Sequence, residues 1–194
     1  MSRGGAPRRL RIIGGRWRGR ILRFAPVPGL RPTPDRVRET LFNWLQADLP
    51  GARCLDLFAG SGVLGFEALS RGAAAVTLVE RDVRAVRVLR DQARMLEAEG
   101  AAIVRAVAQD FLRGAPRPFD IVFLDPPYAG QVLPRCIALL HRGAWLAPCA
   151  WVYLECSGRA PLPELPPPWR VYRSRRAGEV GYHLLRVTAE AEAS

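Results

Sequence analysis

The sequence predicts an α/β fold, with a doubly wound, mostly parallel sheet of about seven strands that ends in an antiparallel hairpin. Two patterns lead to this fold class. Between residues 53 and 155, short apolar segments alternate with segments whose apolar residues recur at helical spacing, as is typical of parallel sheets flanked by helices. After residue 168 the alternation stops, and two strand-like segments flank a glycine-containing turn. A chain of 194 residues is enough for one such domain.

The predicted elements follow one another closely along the chain. Strands are predicted at residues 53–58, 75–79, 103–107, 119–124 and 150–155, and helices at residues 63–71, 83–97 and 132–140. Segment 161–168 excludes a regular helix, because its prolines lack the backbone N–H. Strands at 170–174 and 180–187 then form the closing hairpin.

The region before the sheet is strongly basic. The net charge is +11, and residues 1–38 are rich in arginine with Asp35 as their one acid. Apolar segments at 10–13 and 21–24 predict a small hairpin or extended arm. Thr33 is the predicted N-cap of a helix that begins at Pro34.

This excess of basic residues favours a polyanionic partner, most simply nucleic acid. Trp17 lies between Arg16 and Arg18, a pattern that suits phosphate contact together with base stacking. The alternative is a flexible basic tail with Trp17 packed on the core. Residues 1–50 are therefore predicted to be a basic arm and helix that contact RNA. Residues 51–188 are predicted to be a Rossmann-like domain, and residues 189–194 a frayed tail.

Several classes of protein do not fit the sequence. No apolar segment is long enough to span a membrane, and no secretion signal is evident. The four cysteines show no CxxC spacing, and the two histidines are isolated from each other and from other metal-ligating residues. We therefore predict neither a membrane partner nor a metal site.

The segment Asp125-Pro126-Pro127-Tyr128 follows a predicted buried strand, at the edge where open α/β sheets bind ligands. It suits a planar ring that carries an amine. Tyr128 can stack on the ring, and the Asp125 carboxylate and Pro126 carbonyl can accept the amine hydrogens. Pro127 stiffens the segment. These four are the candidate catalytic residues, and a proline-rich turn without chemistry is the alternative.

A glycine-rich loop joins the first sheet strand to its helix. Gly60 and Gly62 allow a tight turn and the close approach of a ligand to the helix N-terminus. With Gly65 they also match the dinucleotide fingerprint, and Glu80 lies near the spacing expected for a ribose contact. Asp56 argues against a dinucleotide, because its carboxylate would repel a pyrophosphate and attract an ammonium group.

Acidic residues at successive strand ends define the ligand further. Glu80 can accept from both hydroxyls of a ribose, and Asp56 can bind an ammonium. Asp110 can accept from an adenine amine, with Phe111 packed on the ring. A ligand that combines these groups is S-adenosylmethionine (SAM). The candidate cofactor residues are Asp56, Phe58, Gly60, Gly62, Glu80, Arg81, Asp110 and Phe111. An NAD-dependent dehydrogenase fits less well, because no hydride-transfer residues are evident and the Asp125 motif has no role there.

These motifs resemble the class I methyltransferases that modify exocyclic amines, and most closely the RsmD family of bacterial 16S rRNA guanine N2-methyltransferases. The resemblance spans roughly residues 10 to 187 and is carried by four segments: 11–15 (RIIGG), 31–39 (RPTPDRVRE), 55–62 (LDLFAGSG) and 125–128 (DPPY). Segment 31–39 is the most specific of the four, because many amine methyltransferases share the glycine loop and DPPY. Residues 1–9, segment 161–168 and the last few residues match poorly.

The resemblance implies methyl transfer from SAM to N2 of one guanine in 16S rRNA. It also implies that the substrate is a small ribosomal subunit or an assembly intermediate in the cytoplasm, and that no metal is needed. The candidate substrate-binding residues are Arg16, Trp17, Arg18, Arg31, Thr33 and Arg36. A monomer is expected. Two other functions stay open, namely N6-adenine methylation of DNA and a non-catalytic role as an RNA-binding assembly factor.

Overall fold

The computed structural model describes residues 8–24, 33–126 and 131–188. Two strands and a helix precede the sheet: β1 (Arg8–Arg11), β2 (Ile21–Phe24) and α1 (Asp35–Trp44). The other elements are β3 (Arg53–Asp56), α2 (Val63–Ser70), β4 (Ala75–Glu80), α3 (Val83–Met95), β5 (Ala101–Arg105), α4 (Ala108–Phe111), β6 (Phe119–Leu124), α5 (Val132–Arg142), β7 (Leu146–Ser157), β8 (Trp169–Ala177) and β9 (Val180–Val187).

The central sheet has seven strands in the order β5-β4-β3-β6-β7-β9-β8. Strands β3 to β7 are parallel to one another, and β9 runs antiparallel between β7 and β8. The predicted doubly wound, mostly parallel sheet with a C-terminal antiparallel hairpin is confirmed. The strand order reverses between β3 and β6, and a ligand crevice opens at such a switch point, beyond the carboxyl ends of the strands.

The predicted boundaries of several strands differ from the structure, β5 and β7 among them. β5 begins two residues earlier than the predicted strand at 103–107, because it pairs with β4 from Ala101 onward. The short helix α4 then begins where the predicted strand ended. β7 begins at Leu146, before the predicted start at residue 150, and its pairing with β6 is irregular over this stretch.

The capping role predicted for Thr33 is wrong. α1 begins at Asp35, with Pro34 in the N-cap position and no side-chain cap. The Thr33 hydroxyl instead donates a hydrogen bond to Asp125 Oδ2 at 3.2 Å. The helix begins one residue later than predicted, so Thr33 lies outside the N-cap position, and its hydroxyl donates to a strong acceptor instead.

Each face of the sheet is covered by its own hydrophobic cluster. The β1–β2 ribbon, α1, α2 and α3 cover one face, and α4 and α5 cover the other. Ile12 and Leu22, from the basic N-terminal segment, are fully buried in the first cluster. This segment therefore packs on the sheet domain. No helix among the described residues is long and apolar enough to cross a membrane.

A buried arginine joins the N-terminal segment to the sheet domain. The Arg38 side chain is 0% exposed and forms an ion pair with Glu67 of α2 at 2.9 Å. Its guanidinium also donates to the carbonyls of Arg11 at 3.1 Å and Thr33 at 3.3 Å, and pairs with Asp35 at 2.6 Å. One side chain thus fixes the end of β1 and the segment that leads into α1.

The Glu67 carboxylate also has several hydrogen-bond and ion-pair partners. Besides Arg38, its carboxylate accepts from the Ile13 N–H at 3.1 Å and pairs with Arg71 at 3.0 Å. Burial of an ion pair is tolerated when hydrogen bonds satisfy the remaining polar groups of both partners, as they do here.

Replacing Arg38 by Met should lower the free energy of unfolding by about 3–5 kcal/mol, because the Glu67 carboxylate would be left buried without its main partner. Chemical denaturation followed by circular dichroism measures this loss. The matched control is Arg94→Met, since Arg94 pairs with Asp91 while its side chain is 78% exposed. Its replacement should cost less than about 1 kcal/mol. Equal losses in the two variants would contradict the structural role of Arg38.

Candidate active site

Acidic side chains lie at the carboxyl ends of four adjacent strands, and we call this region the acid edge. Glu80 is the last residue of β4, Asp56 is the last of β3, and Asp125 directly follows β6. The β6–β7 register places Glu155 of β7 level with Asp125. Because the strands are parallel and adjacent, the four carboxylates line the same edge of the sheet, on both sides of the strand-order switch point. Such an edge suits a ligand with cationic groups.

The loop between β3 and α2 depends on its glycines. Gly60 and Gly62 have φ angles of 50° and 76°, in the left-handed region that favours glycine. A Cβ on Gly62 would also lie 2.4 Å from Leu89 Cδ2. The Gly60 N–H donates to Glu80 Oε2 at 2.9 Å, so the loop is tied to the end of the next strand. The backbone therefore turns tightly beside the acid edge.

Asp56 is a buried carboxyl group with only one of its two oxygens hydrogen-bonded to a described residue. Its side chain is buried, Oδ2 accepts from the Gly65 N–H at 3.2 Å, and Oδ1 has no hydrogen-bond partner among the described residues. Burial raises the pKa of this carboxyl to about 7, and Glu80 adds to the rise, while N–H groups of Gly65 and Phe58 oppose it. An unpaired buried carboxylate oxygen is costly, and a ligand ammonium would satisfy it.

The other candidate cofactor residues lie around the β4 and β5 ends. Glu80 accepts from the Asp82 N–H at 2.8 Å as well as from Gly60, so backbone contacts orient its carboxylate. Arg81 is exposed. Two members lie on α4: Asp110 is exposed and pairs with Arg113 at 2.7 Å, and Phe111 packs on Trp145.

Phe58 is partly buried against the cluster on the α4–α5 face. Phe111 packs on the same cluster. The two rings therefore pack on the same face of the sheet, the face covered by α4 and α5.

Asp125 lies in a cluster of hydrogen-bonded groups. Thr33 donates to its Oδ2 at 3.2 Å, and the Tyr153 hydroxyl donates to Glu155 Oε1 at 2.6 Å. Burial, together with the charges of Glu155 and Asp56, raises the pKa of Asp125 well above its ordinary value. Burial also raises the pKa of Glu155, against hydrogen bonds from Tyr153 and Thr33. The pair therefore holds a proton more readily than either carboxyl would in water.

Pro126 is buried beside Asp125, whereas Pro127 and Tyr128 lie outside the described residues. Glu155 and Tyr153 were not among the candidate residues. Glu155 carries the same signal as the other acids, since it is the last residue of a predicted apolar strand. Strand-end position alone could have found it.

The candidate nucleic-acid residues fall in two places. Thr33 contacts Asp125, and Arg36 is exposed in the first turn of α1. By contrast, the Arg16 and Trp17 N–H groups donate to Ser70, at the end of α2 that is farther from the glycine loop. α2 has eight residues and is roughly 12 Å long. Arg31 lies outside the described residues.

Trp17 is half-buried against the core, and the Arg16 guanidinium lies 4.1 Å from its ring centroid. Arg18 is exposed. The Arg16–Arg18 segment thus lies near the opposite end of α2 from the acid edge. Any contact that it makes with a partner is therefore remote from the acid edge.

No group of three or more His, Cys, Asp or Glu side chains within residues 8–24, 33–126 and 131–188 is arranged to hold a metal ion.

Comparisons with known proteins identify relatives of this chain. The family model described as conserved hypothetical protein 95 matches residues 10–186. Ribosomal RNA small subunit methyltransferase D of Escherichia coli (strain K12) is 47% identical over 183 residues, which are 94% of this chain and 92% of that protein. The solved structure of the putative methyltransferase yhhF from Escherichia coli has a TM-score of 0.87 and 47% identity, with 94% of this chain and 100% of that chain covered.

A putative SAM-dependent methyltransferase from Streptococcus mutans shares the fold at 14% identity, with a TM-score of 0.69 over 87% of this chain and 54% of that one. The predicted class I methyltransferase fold is therefore confirmed.

Asp56→Asn should flatten the dependence of stability on pH. In the folded protein the pKa of Asp56 is raised to about 7, so the stability linked to its proton is present at acid pH and lost as pH rises from about 4 to 7. Asparagine stays neutral. Between pH 5 and 8 the variant should lose roughly 1–3 kcal/mol less than the wild type in denaturation experiments without ligand. Asp91→Asn, on the exposed face of α3, is the control. Parallel curves of stability against pH for Asp56→Asn and the wild type would show that the pKa of Asp56 is not raised by burial.

Proposed function

Because the chain belongs to the RsmD family, described as conserved hypothetical protein 95, we propose that it transfers a methyl group from SAM to the exocyclic N2 amine of a guanine in 16S rRNA. Its 47%-identical relative is named for the rRNA of the small ribosomal subunit, which supports this substrate. The proposed setting is a small subunit or an assembly intermediate in the cytoplasm. Oligomeric state does not enter the mechanism, and a monomer suffices for it.

The observation that carries the proposal is the acid edge with a buried carboxylate oxygen that has no hydrogen-bond partner among the described residues. Asp56 Oδ1 is buried and lacks a partner among the described residues, and a SAM ammonium would supply one. Glu80 would hold the ribose hydroxyls, because its carboxylate is already oriented by Gly60 and Asp82. Asp110 would accept from the adenine amine. The bound cofactor supplies a methyl group on a sulfonium, which needs no further activation.

The methyl acceptor would be oriented by Asp125 and Pro126. A guanine amine is a poor nucleophile, because its lone pair is delocalised into the ring. Hydrogen bonds from the amine to the Asp125 carboxylate and the Pro126 carbonyl would hold the nitrogen with its lone pair directed toward the methyl group. Positioning of this kind lowers a barrier by several kcal/mol. Target bases must leave their stack to enter such a site, and Tyr128 is our candidate for stacking on the base.

The two oxygens of the Asp125 carboxylate have different roles in this proposal. The Thr33 hydroxyl occupies Oδ2, and Oδ1 forms no hydrogen bond with any described residue. Oδ1 is thus available to the substrate amine. The pKa of Asp125 is raised by burial and by Glu155, so this carboxylate could also hold the proton that the amine releases after methyl transfer.

Methyl transfer from radiolabelled SAM tests the proposal. The substrates are undermodified small ribosomal subunits, naked 16S rRNA and duplex DNA, each followed by nucleoside analysis. Label in N2-methylguanosine from subunits or rRNA is the expected result. Label in N6-methyladenine of DNA would support amine methylation from SAM but refute rRNA as the substrate. SAM binding without transfer to any substrate would favour a non-catalytic assembly factor, and binding of NAD in place of SAM would favour a dehydrogenase.

Glu155→Gln should move the acidic limb of the pH–rate profile to lower pH. The Glu155 charge contributes to the raised pKa of Asp125, so removing that charge lowers the pKa and leaves Asp125 ionised at lower pH. Single-turnover methyl transfer across pH measures the shift. Glu99→Gln makes the same charge change just before β5, the strand at the end of the sheet opposite β8, and should leave the profile unchanged. A profile unchanged by Glu155→Gln would show that the two carboxyls act independently.

A further inference from the structure

The outer strand β8 exposes a run of arginines that the site described above does not use. The side chains from Arg170 to Arg176 are all exposed, and four of these seven residues are arginine. Among the residues that the structure describes, no carboxylate lies within ion-pair distance of Arg170, Arg173 or Arg175. This strand therefore carries net positive charge that its described neighbours do not neutralise.

The sheet topology brings one end of β8 to the acid edge. β8 is antiparallel to β9, and β9 is antiparallel to β7, so β8 runs in the same direction as β6 and β7. Glu155 pairs in register with Tyr182, and Tyr182 pairs with Arg175. Arg175 thus lies in the same row as Asp125, three strand spacings away, or roughly 14 Å. Arg173 lies two residues from Arg175 and faces the same side of the sheet.

Aromatic rings accompany these arginines. Tyr172 is 55% exposed, and the Arg173 guanidinium lies 4.8 Å from its ring centroid. The Tyr172 ring packs at 5.0 Å on Trp151, and the Arg186 guanidinium lies 4.2 Å from the Trp151 ring. Exposed arginines interleaved with an exposed aromatic ring suit single-stranded RNA, in which phosphates and unstacked bases are both accessible.

This location differs from that of the Arg16–Arg18 segment. That segment is anchored at the far end of α2, whereas Arg175 lies level with the row that contains Asp125 and Glu155. An RNA strand whose target base enters at Asp125 must continue across the protein surface on one side of the site. The β9–β8 end of the sheet presents positive charge on that surface.

We propose that Arg173 and Arg175 of β8 bind phosphates next to the target nucleotide and that Tyr172 offers a stacking surface to a neighbouring base. The proposal rests on the rRNA substrate proposed above and assigns a second part of the chain to its recognition. Edge strands also carry charged residues that prevent pairing with other strands, and this is the competing explanation for the arginines.

Binding of an in vitro 16S rRNA transcript, measured across a range of NaCl concentrations, tests the proposal. Arg173→Gln/Arg175→Gln should bind roughly tenfold more weakly at low salt. The slope of log affinity against log salt should become shallower by about 1.5, since each lost phosphate contact removes about 0.7–0.9. Arg173→Lys/Arg175→Lys keeps both charges and should keep most of the slope. Tyr172→Ala should weaken binding without changing the slope.

The matched control is Arg87→Gln/Arg90→Gln, which makes the same charge change at exposed positions of α3, at the β4–β5 end of the sheet. It should leave the slope unchanged, and equal effects of the two double variants would overturn the proposal. Unchanged RNA binding by the β8 variant, with new self-association on size-exclusion chromatography, would mean that the arginines only prevent the edge strand from pairing with other strands.

Methyl transfer assays on the same proteins separate this proposal from the proposed function. If the wild type methylates guanine in rRNA while the β8 variant keeps the full salt slope, the proposed RNA-binding role of β8 is refuted and the proposed function is retained. If the wild type methylates no RNA, but the transcript still binds with a slope that depends on Arg173 and Arg175, the proposed function is refuted. The proposed RNA-binding role of β8 is then retained. A wild type that binds neither the transcript nor undermodified small subunits overturns both.

Discussion

The buried ion pair between Arg38 and Glu67 is the contact on which the arrangement of the site depends. Glu67 lies on α2, the helix that begins at the glycine loop, and Arg38 lies on α1. The Arg38 guanidinium also holds the Thr33 carbonyl, and the Thr33 side chain reaches Asp125. A single side chain therefore links the helix behind the glycine loop to the residue that we propose orients the methyl acceptor. Because breaking a buried pair is costly, this link holds the two halves of the site in one geometry.

Electrostatics divide the molecule into two parts. The protein carries a net charge of +11, yet carboxylates from adjacent strands line its acid edge, where Asp56 and Glu155 are buried. Burial raises the pKa values of Asp56, Asp125 and Glu155, so ionised carboxylates are costly at the acid edge. A ligand with positive charge would offset that cost, and perturbed carboxyls in a cleft are typical of functional sites. The basic surface outside suits the opposite partner, a polyanion that approaches the crevice.

The fold and much of the site follow from local sequence patterns. Alternating apolar segments predicted the sheet, and acids at strand ends predicted Asp56, Glu80 and Asp125. The glycine loop was predictable because Gly60 and Gly62 require left-handed backbone angles. Contacts between distant residues were not predictable. Thr33 was read as a local helix cap, although its partner Asp125 lies 92 positions along the chain.

The Arg38–Glu67 pair spans 29 positions and carries no local signal. The placement of Arg175 in the row of Glu155 depends on the insertion of β9 between β7 and β8, which a hairpin prediction alone does not specify. Local patterns thus determine elements and strand ends, whereas side-chain partners and strand order require the folded chain.

The most direct test of this account is single-turnover methyl transfer to rRNA by the Arg38→Lys variant, with SAM affinity measured in parallel. Lysine can keep the ion pair with Glu67, but its compact ammonium cannot also reproduce the forked contacts of the guanidinium with the Thr33 and Arg11 carbonyls. The account predicts slower methyl transfer at saturating SAM, with SAM affinity close to that of the wild type and a folded protein by circular dichroism. An unchanged transfer rate, or a loss of SAM affinity as large as the loss of rate, would contradict it.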